Sequence, residues 1–220
     1  MITKLLFEKK DESYKNFLLR IIKGLDEKEV IGVRKKDLRE IFKKTKDLHK
    51  EFLNTPHIYQ EEFLIHIYII SEIDDFKEAI LELDKIIDKL DNWELTDSVK
   101  IKNMKNEENL SYSYFEKLIS SGKTFYIRTA LVLMMRYFNS PFYLDKNLNL
   151  IFSITNYDYY VKMGVGWFLE EFTKKYKSEG YKILEDMNLA KEFQNAFISK
   201  IRQSSYFTKE EKETASKYKI

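Results

Sequence analysis

Two tryptophans and one aspartate have the types and spacing to do chemistry together. Trp93 and Asp97 lie four positions apart in DNWELTDS, so on a helix they share one face and pair an aromatic surface with a carboxylate. Trp167 lies in YYVKMGVGWFLEEF beside Gly164 and Gly166, and each glycine costs about 1 kcal/mol relative to alanine inside a helix. Glycines placed there serve close packing or the approach of a ligand. For each tryptophan the alternative is an ordinary core residue.

Arg128 precedes a nearly continuous apolar run, so it must find a carboxylate or carbonyl partner or reach into a groove. The structural alternative is a buried ion pair with a neighbouring helix. Lys123 and Thr124 stand at the start of the same predicted helix. They place a cation and a hydroxyl beside exposed backbone N–H groups, which is compatible with a phosphate site.

Motifs of the common enzyme classes are absent. The sequence has no dinucleotide-binding glycine loop, Walker loop, HExxH, nucleophile elbow or EF-hand loop. It has no cysteine and only three histidines, which excludes disulfides, thiolate catalysis and cysteine-ligated metals and argues against a histidine-rich metal site. We therefore expect no metal and no cofactor, and we expect His66 to be a packed core histidine.

The composition predicts one soluble domain over residues 1–220, with 44% apolar and 34% charged residues. The start of the chain does not have the pattern of a signal peptide, and no window approaches eighteen uncharged apolar residues. We therefore expect a cytoplasmic protein with no membrane partner.

Charge is distributed unevenly, although the net charge is only +2. Residues 1–50 carry 15 basic and 9 acidic side chains, whereas residues 51–100 carry 4 and 13. Such a molecule could offer basic regions to a polyanion while holding an acidic stretch away from it. A plain solvated charge pattern is the alternative.

Helices are predicted to position these residues nearly throughout the chain, because glycine and proline are scarce and apolar positions recur every three or four residues. The predicted helices span about 14–25, 35–49, 59–73, 76–90, 91–104, 112–120, 124–137, 144–154 and 158–177. Half-polar helices alternate with helices that are apolar nearly all round, at a loose period of ~30–45 residues per helix pair. This predicts an all-α, right-handed α-solenoid of stacked antiparallel helix pairs of HEAT or armadillo type. An irregular helical bundle is the alternative.

Four segments, in order, resemble the DNA alkylation repair family of HEAT-like repeat glycosylases. They are IGVRKKDLREIFKK at 31–44, NWELTDSV at 92–99, FYIRTALVLMM at 125–135 and YYVKMGVGWFLEEF at 159–172. The second and fourth segments are the specific ones. In the first, Lys36 stands where the family usually has proline.

The resemblance implies a concave, cationic solenoid that binds duplex DNA, and a monofunctional, metal-free enzyme that hydrolyses the glycosidic bond of cationic N3- or N7-alkylated purines, such as 3-methyladenine and 7-methylguanine. We expect a monomer. The resemblance also implies that Asp97 is the catalytic carboxylate and that Trp93 and Trp167 are aromatic walls. Arg128 would match the family's DNA-contacting arginine. We expect further DNA contacts from the cation and hydroxyl at the start of the same helix, Lys123 and Thr124, and from Lys162.

Two other functions stay open. Where the family commonly has lysine and arginine around the second tryptophan, this chain has Met163 and Glu170. That difference is compatible with a non-catalytic HEAT-like protein that binds damaged or branched DNA. The acidic region at 51–100 is compatible with a protein-interaction solenoid that has no nucleic-acid role.

Overall fold

A computed structural model describes residues 1–220. The chain forms fourteen α-helices and no β-strand, so the all-α prediction is confirmed. Backbone proximity divides it into two compact units, Met1–Asn106 and Glu107–Ile220. The solenoid order of the helices and the single domain over 1–220 stay predictions. None of the helices is long and apolar enough to cross a membrane.

Unit 1 contains the first seven helices. They are α1 (Ile2–Glu8), α2 (Glu12–Ile21), α3 (Lys35–Lys44), α4 (His49–Phe52), α5 (Gln60–Ile70), α6 (Phe76–Ile86) and α7 (Trp93–Ser98). Unit 2 contains α8 (Glu108–Ser120), α9 (Thr124–Tyr137), α10 (Leu144–Phe152), α11 (Tyr159–Lys175), α12 (Lys177–Asp186), α13 (Lys191–Gln203) and α14 (Lys209–Ser216).

Helix α5 forms the centre of unit 1. It is buried almost all round, as its apolar pattern predicted, and α3, α6 and α7 pack against it. The apolar residues of the helix predicted over 14–25 recur every three or four positions, which predicts one buried stripe, but the buried part is narrower. Leu18 and Ile22 are buried, whereas Phe17 is 42% exposed and Ile21 is 37% exposed.

The helix predicted over 91–104 is too long. Helix α7 ends at Ser98, because Val99 adopts an extended conformation and Asn103 a left-handed one with φ 57°. Contacts with a distant loop stabilise that path. The Asn103 amide donates to the carbonyl of Asp74, and the Lys102 ammonium binds the Asp74 carboxylate. Tertiary contacts therefore override the helical pattern after Ser98.

Helix α11 forms the centre of unit 2, where it packs against α9, α12 and α13. Gly166 lies directly on the backbone of α13. A Cβ atom added there would lie 2.8 Å from the carbonyl oxygen of Ala196, which is closer than van der Waals contact permits. Gly166 therefore serves close packing, one of the two uses that its position in the sequence predicted.

We expect Gly166→Ala to destabilise the protein by about 1–3 kcal/mol, because the added methyl group pushes two helix backbones apart. Gly164→Ala is the matched control, since a Cβ atom there meets side chains rather than backbone, with the end of Leu131 at 3.1 Å and Arg128 Nη1 at 3.8 Å. Urea unfolding of the two variants measures the difference. Equal stabilities would contradict the close-packing role.

A buried histidine pair lies in unit 1. His66 is 1% exposed, as the core assignment predicted, and its Nδ1 lies 2.8 Å from Nε2 of His57. Its Nε2 lies 4.0 Å from the Glu82 carboxylate. Burial, with smaller contributions from His57 and Lys85, lowers the pKa of His66 to about 3. The folded protein therefore holds His66 neutral at neutral pH.

This low pKa of His66 makes the free energy of unfolding depend on pH. The unfolded chain protonates His66 below a pKa of about 6.5 and the folded chain does not, so acidification favours unfolding until pH falls through the folded pKa. Between pH ~7 and pH ~5 we expect His66 to remove about 2 kcal/mol of folding stability. Urea unfolding of wild type and His66→Gln at both values tests this. An equal loss in the two proteins would show that His66 does not contribute.

Candidate functional site

Helix α7 presents Trp93 and Asp97 on one face. The side chain of Asn92 caps the helix by accepting hydrogen bonds from the backbone N–H groups of Glu94 and Leu95, at 3.0 and 3.3 Å. Leu95 is buried, whereas Trp93 and Asp97, one turn apart, are only half-buried. The helix therefore holds an indole and a carboxylate together on one face, as their spacing predicted, and both reach solvent.

Trp93 is also part of a core cluster. Its indole packs against the buried side chains of Leu18, Ile22 and Val30, together with the ring of Tyr14. Because Trp93 is half-buried, the core alternative for this tryptophan is correct in part. Packing against the cluster restricts the rotation of the indole.

Asp97 has a polar neighbour within its own helix. The hydroxyl of Thr96 lies 3.4 Å from Oδ1 of Asp97, and it is 3.2 Å from the carbonyl of Asn92. Thr96 is fully buried, whereas the Asp97 carboxylate is partly open to solvent. A carboxylate in this position can approach a charged ligand without losing all of its hydration.

Tyr14, which packs against the same core cluster as Trp93, lies beside a cation, Arg34. The Arg34 guanidinium lies 5.0 Å from the centre of the Tyr14 ring and donates to the Asp11 carboxylate at 2.8 Å. Hydrogen bonds from Ser13, the Tyr14 backbone and Arg34 lower the pKa of Asp11 to about 2. Tyr14 and Arg34 were not among the predicted site residues, although Arg34 is part of the segment at 31–44 that resembles the family.

In unit 2, Arg128 connects α9 to α11. It is 7% exposed, and its Nη1 donates to the carbonyl oxygen of Tyr160 at 3.0 Å. Its guanidinium carbon lies 6.0 Å from the centre of the Tyr160 ring. The carbonyl partner that the sequence predicted as one option is therefore present.

Trp167 lies on α11 beside a cluster of charged residues. Its indole N–H donates to the Glu171 carboxylate at 3.3 Å. The Lys174 ammonium binds both Glu171 and Glu170, at 2.8 and 2.7 Å. Glu170 is 4% exposed. The negative charge at Glu170 is therefore buried and paired within the helix.

The other predicted DNA contacts lie at the starts of α9 and α11. Lys123 is exposed and precedes α9, with its ammonium 4.6 Å from the centre of the Tyr126 ring. The hydroxyl of Thr124 accepts a hydrogen bond from the Asn156 amide at 3.3 Å. Lys162 is half-buried in the first turns of α11. Their roles in binding DNA stay predictions.

Comparison with known proteins identifies the family. The family model described as "DNA alkylation repair enzyme" matches residues 2–194. No curated protein and no solved structure matches the chain. The matched range contains every predicted site residue, and it covers most of the sequence. The chain therefore belongs to the DNA alkylation repair enzyme family.

Proposed function

We propose that this protein is a monofunctional DNA glycosylase that releases cationic N3- and N7-alkylated purines from duplex DNA without a metal or cofactor. One observation carries the proposal. In a chain of the DNA alkylation repair family, α7 holds a partly exposed indole and a partly exposed carboxylate one turn apart. The proposal includes the HEAT-like repeat order of the helices, a monomeric state and a cytoplasmic location.

The chemistry suits this pair of side chains. An N3- or N7-alkylated purine already carries a positive charge, so it leaves as a neutral base when the bond from its N9 to the sugar C1′ breaks. The electron pair of that bond goes to the purine, and positive charge develops on the sugar. Water then adds to C1′ and loses a proton to solvent. The products are the free alkylated base and an abasic site.

Each group has a defined role in that reaction. The Asp97 carboxylate stabilises the developing positive charge on the sugar and orients the attacking water. The indole faces of Trp93 and Trp167 favour the cationic purine, since the negative face of an aromatic ring attracts positive charge. Arg128, Lys123, Thr124 and Lys162 contact the DNA backbone. No general acid is needed, because the leaving group is activated by its own charge.

A second candidate function is non-catalytic binding of damaged or branched DNA. It is favoured by Met163, which stands where the family commonly has a cationic residue, and by the net charge of +2. Each phosphate contact contributes to affinity through counterion release, so the loss of one or two weakens binding. This candidate retains DNA as the partner and removes the hydrolytic step.

One experiment separates the candidates. The protein is incubated at low salt with a methylated DNA duplex, and abasic sites are then revealed by cleavage with alkali. Its affinity for the same duplex is measured at several salt concentrations. Abasic sites that accumulate with time support the glycosylase. Salt-sensitive binding without abasic sites supports the non-catalytic binder, and the absence of both supports the protein-interaction scaffold.

A further inference from the structure

The first turn of α5 consists of three consecutive polar residues that are all buried. Gln60, Glu61 and Glu62 are 3%, 1% and 4% exposed. Buried polar side chains are retained only when they are hydrogen-bonded, because an unpaired one costs about 1–3 kcal/mol. A run of three at one helix start therefore needs a structural or functional reason.

Each of the two glutamates fixes a different segment. The Glu61 carboxylate accepts hydrogen bonds from three consecutive backbone N–H groups, those of residues 31–33, at 2.7 to 3.1 Å. The Glu62 carboxylate accepts from the Thr3 hydroxyl and from the backbone N–H groups of Ile58 and Tyr59. These hydrogen bonds fix the start of α5 to two different segments of the chain. The backbone of Gln60, in the same helical turn, is therefore held in place.

Gln60 is directed at α7. Its amide forms a reciprocal pair with the amide of Asn92. Gln60 donates to Asn92 Oδ1 at 3.3 Å, and Asn92 donates to Gln60 Oε1 at 3.0 Å. Gln60 Nε2 also donates to the buried Glu94 carboxylate at 3.1 Å, which lies 3.4 Å from the Lys35 ammonium. All these bonds end on the cap and first turn of α7.

Helix α7 depends on such contacts. It has six residues, and a helix that short is not stable in water by itself. Locally, the Asn92 cap marks its start and the extended backbone of Val99 marks its end. Core packing orients the Trp93 indole, and the start of the helix is held through Asn92. The Asn92 amide also donates to the neighbouring Asp91 carboxylate at 3.0 Å, and Gln60 is the partner that connects it to another helix.

The geometry points to Gln60 as a positioning residue for the reaction, acting through Asn92 and Glu94 to hold the Trp93 indole and the Asp97 carboxylate in place. This inference rests on the proposed function. Gln60 does not touch the reacting atoms. Its removal breaks the hydrogen bonds to Asn92 and Glu94, and we expect this to misplace the Asp97 carboxylate relative to the sugar.

The test compares Gln60→Ala with Gln194→Ala. Gln194 is a second buried glutamine, 0% exposed, which donates to the backbone carbonyls of Leu184 and Tyr218 in unit 2. We expect Gln60→Ala to lower the single-turnover rate of base release at least tenfold, since small misplacements of reacting groups have large effects on rate. DNA affinity stays within about twofold. Gln194→Ala lowers stability but leaves the rate constant unchanged.

A second variant separates positioning from capping. Asn92→Ser retains a good cap for α7 but loses the reciprocal amide pair with Gln60. We expect it to lower the rate as Gln60→Ala does, and the double variant to be no slower than either single one. Hydrogen exchange at the amides of α7 accelerates in both variants and not in Gln194→Ala.

The outcomes distinguish this inference from the proposed function. If wild type releases bases and Gln60→Ala is equally fast, Gln60 has no positioning role and the glycosylase stands. If wild type releases nothing, the glycosylase and the role of Gln60 in positioning groups for the reaction fail together. Hydrogen exchange then still decides whether Gln60 holds α7, and unchanged exchange in Gln60→Ala overturns that part as well.

Discussion

Replacing Asp97 by asparagine lowers the rate of base release by about 100- to 1,000-fold if the carboxylate stabilises the developing charge on the sugar, because removing one preorganised electrostatic group from an active site costs rates of that order. Asparagine keeps the size of the side chain and its hydrogen-bonding oxygen, but it loses the negative charge. The position of Asp97 on α7, one turn from Trp93 and partly open to solvent, leaves room for the substitution.

The Asp97→Asn variant has internal checks. Its affinity for undamaged DNA stays the same or increases slightly, because a negative charge near phosphates has been removed. Its stability stays close to that of wild type, since Asp97 is not part of the buried core. If Asp97→Asn released bases as fast as wild type, Asp97 would have no role in the mechanism, even though the protein would be a glycosylase.

Replacing Trp167 by leucine lowers the rate of release of a cationic purine by about thirtyfold. Leucine fills much of the same volume without a ring, so the loss of attraction between the indole face and positive charge, about 2 kcal/mol for a desolvated pair, accounts for the change. The Glu171 carboxylate that accepts the indole N–H increases the negative potential around this ring. The measurement is the single-turnover rate on duplex DNA with one 7-methylguanine.

Two control variants accompany Trp167→Leu. Trp167→Phe retains a ring and should recover part of the rate. Phe142→Leu removes an aromatic ring that is 81% exposed in the same unit, and it should leave the rate unchanged. An equal rate in Trp167→Leu and wild type would assign this tryptophan to packing alone.

Helix positions were predictable where local pattern decides them. Helix α9 begins at Thr124 and ends at Tyr137 as predicted, because a nearly continuous apolar segment between two loops is compatible with only one pair of helix ends. The end of α7 was not predictable in the same way. Hydrogen bonds from Lys102 and Asn103 to residues 72–74 determine where the helix ends. The spacing of apolar residues along the sequence does not reveal such distant partners.

The types and spacing of the candidate site's residues were predictable from the sequence, whereas the residues that hold them in place were not. The four-residue spacing of Trp93 and Asp97 is enough to place both on one face of a helix. The role of Gln60 was hidden, because a polar residue at a helix start usually faces solvent, whereas this one is buried against Asn92. The pairing of Glu170 with Lys174 follows helical spacing and could have been recognised from the sequence.

The most direct test of the proposed function identifies both products of the reaction. Duplex DNA with a single 7-methylguanine is incubated with the protein, and mass spectrometry measures the released base and the remaining strand. The glycosylase predicts intact 7-methylguanine and an abasic strand in equal amounts, with both reduced in Asp97→Asn. Recovery of a full-length strand that has lost only its methyl group, or a strand left unchanged, would contradict hydrolysis of the glycosidic bond.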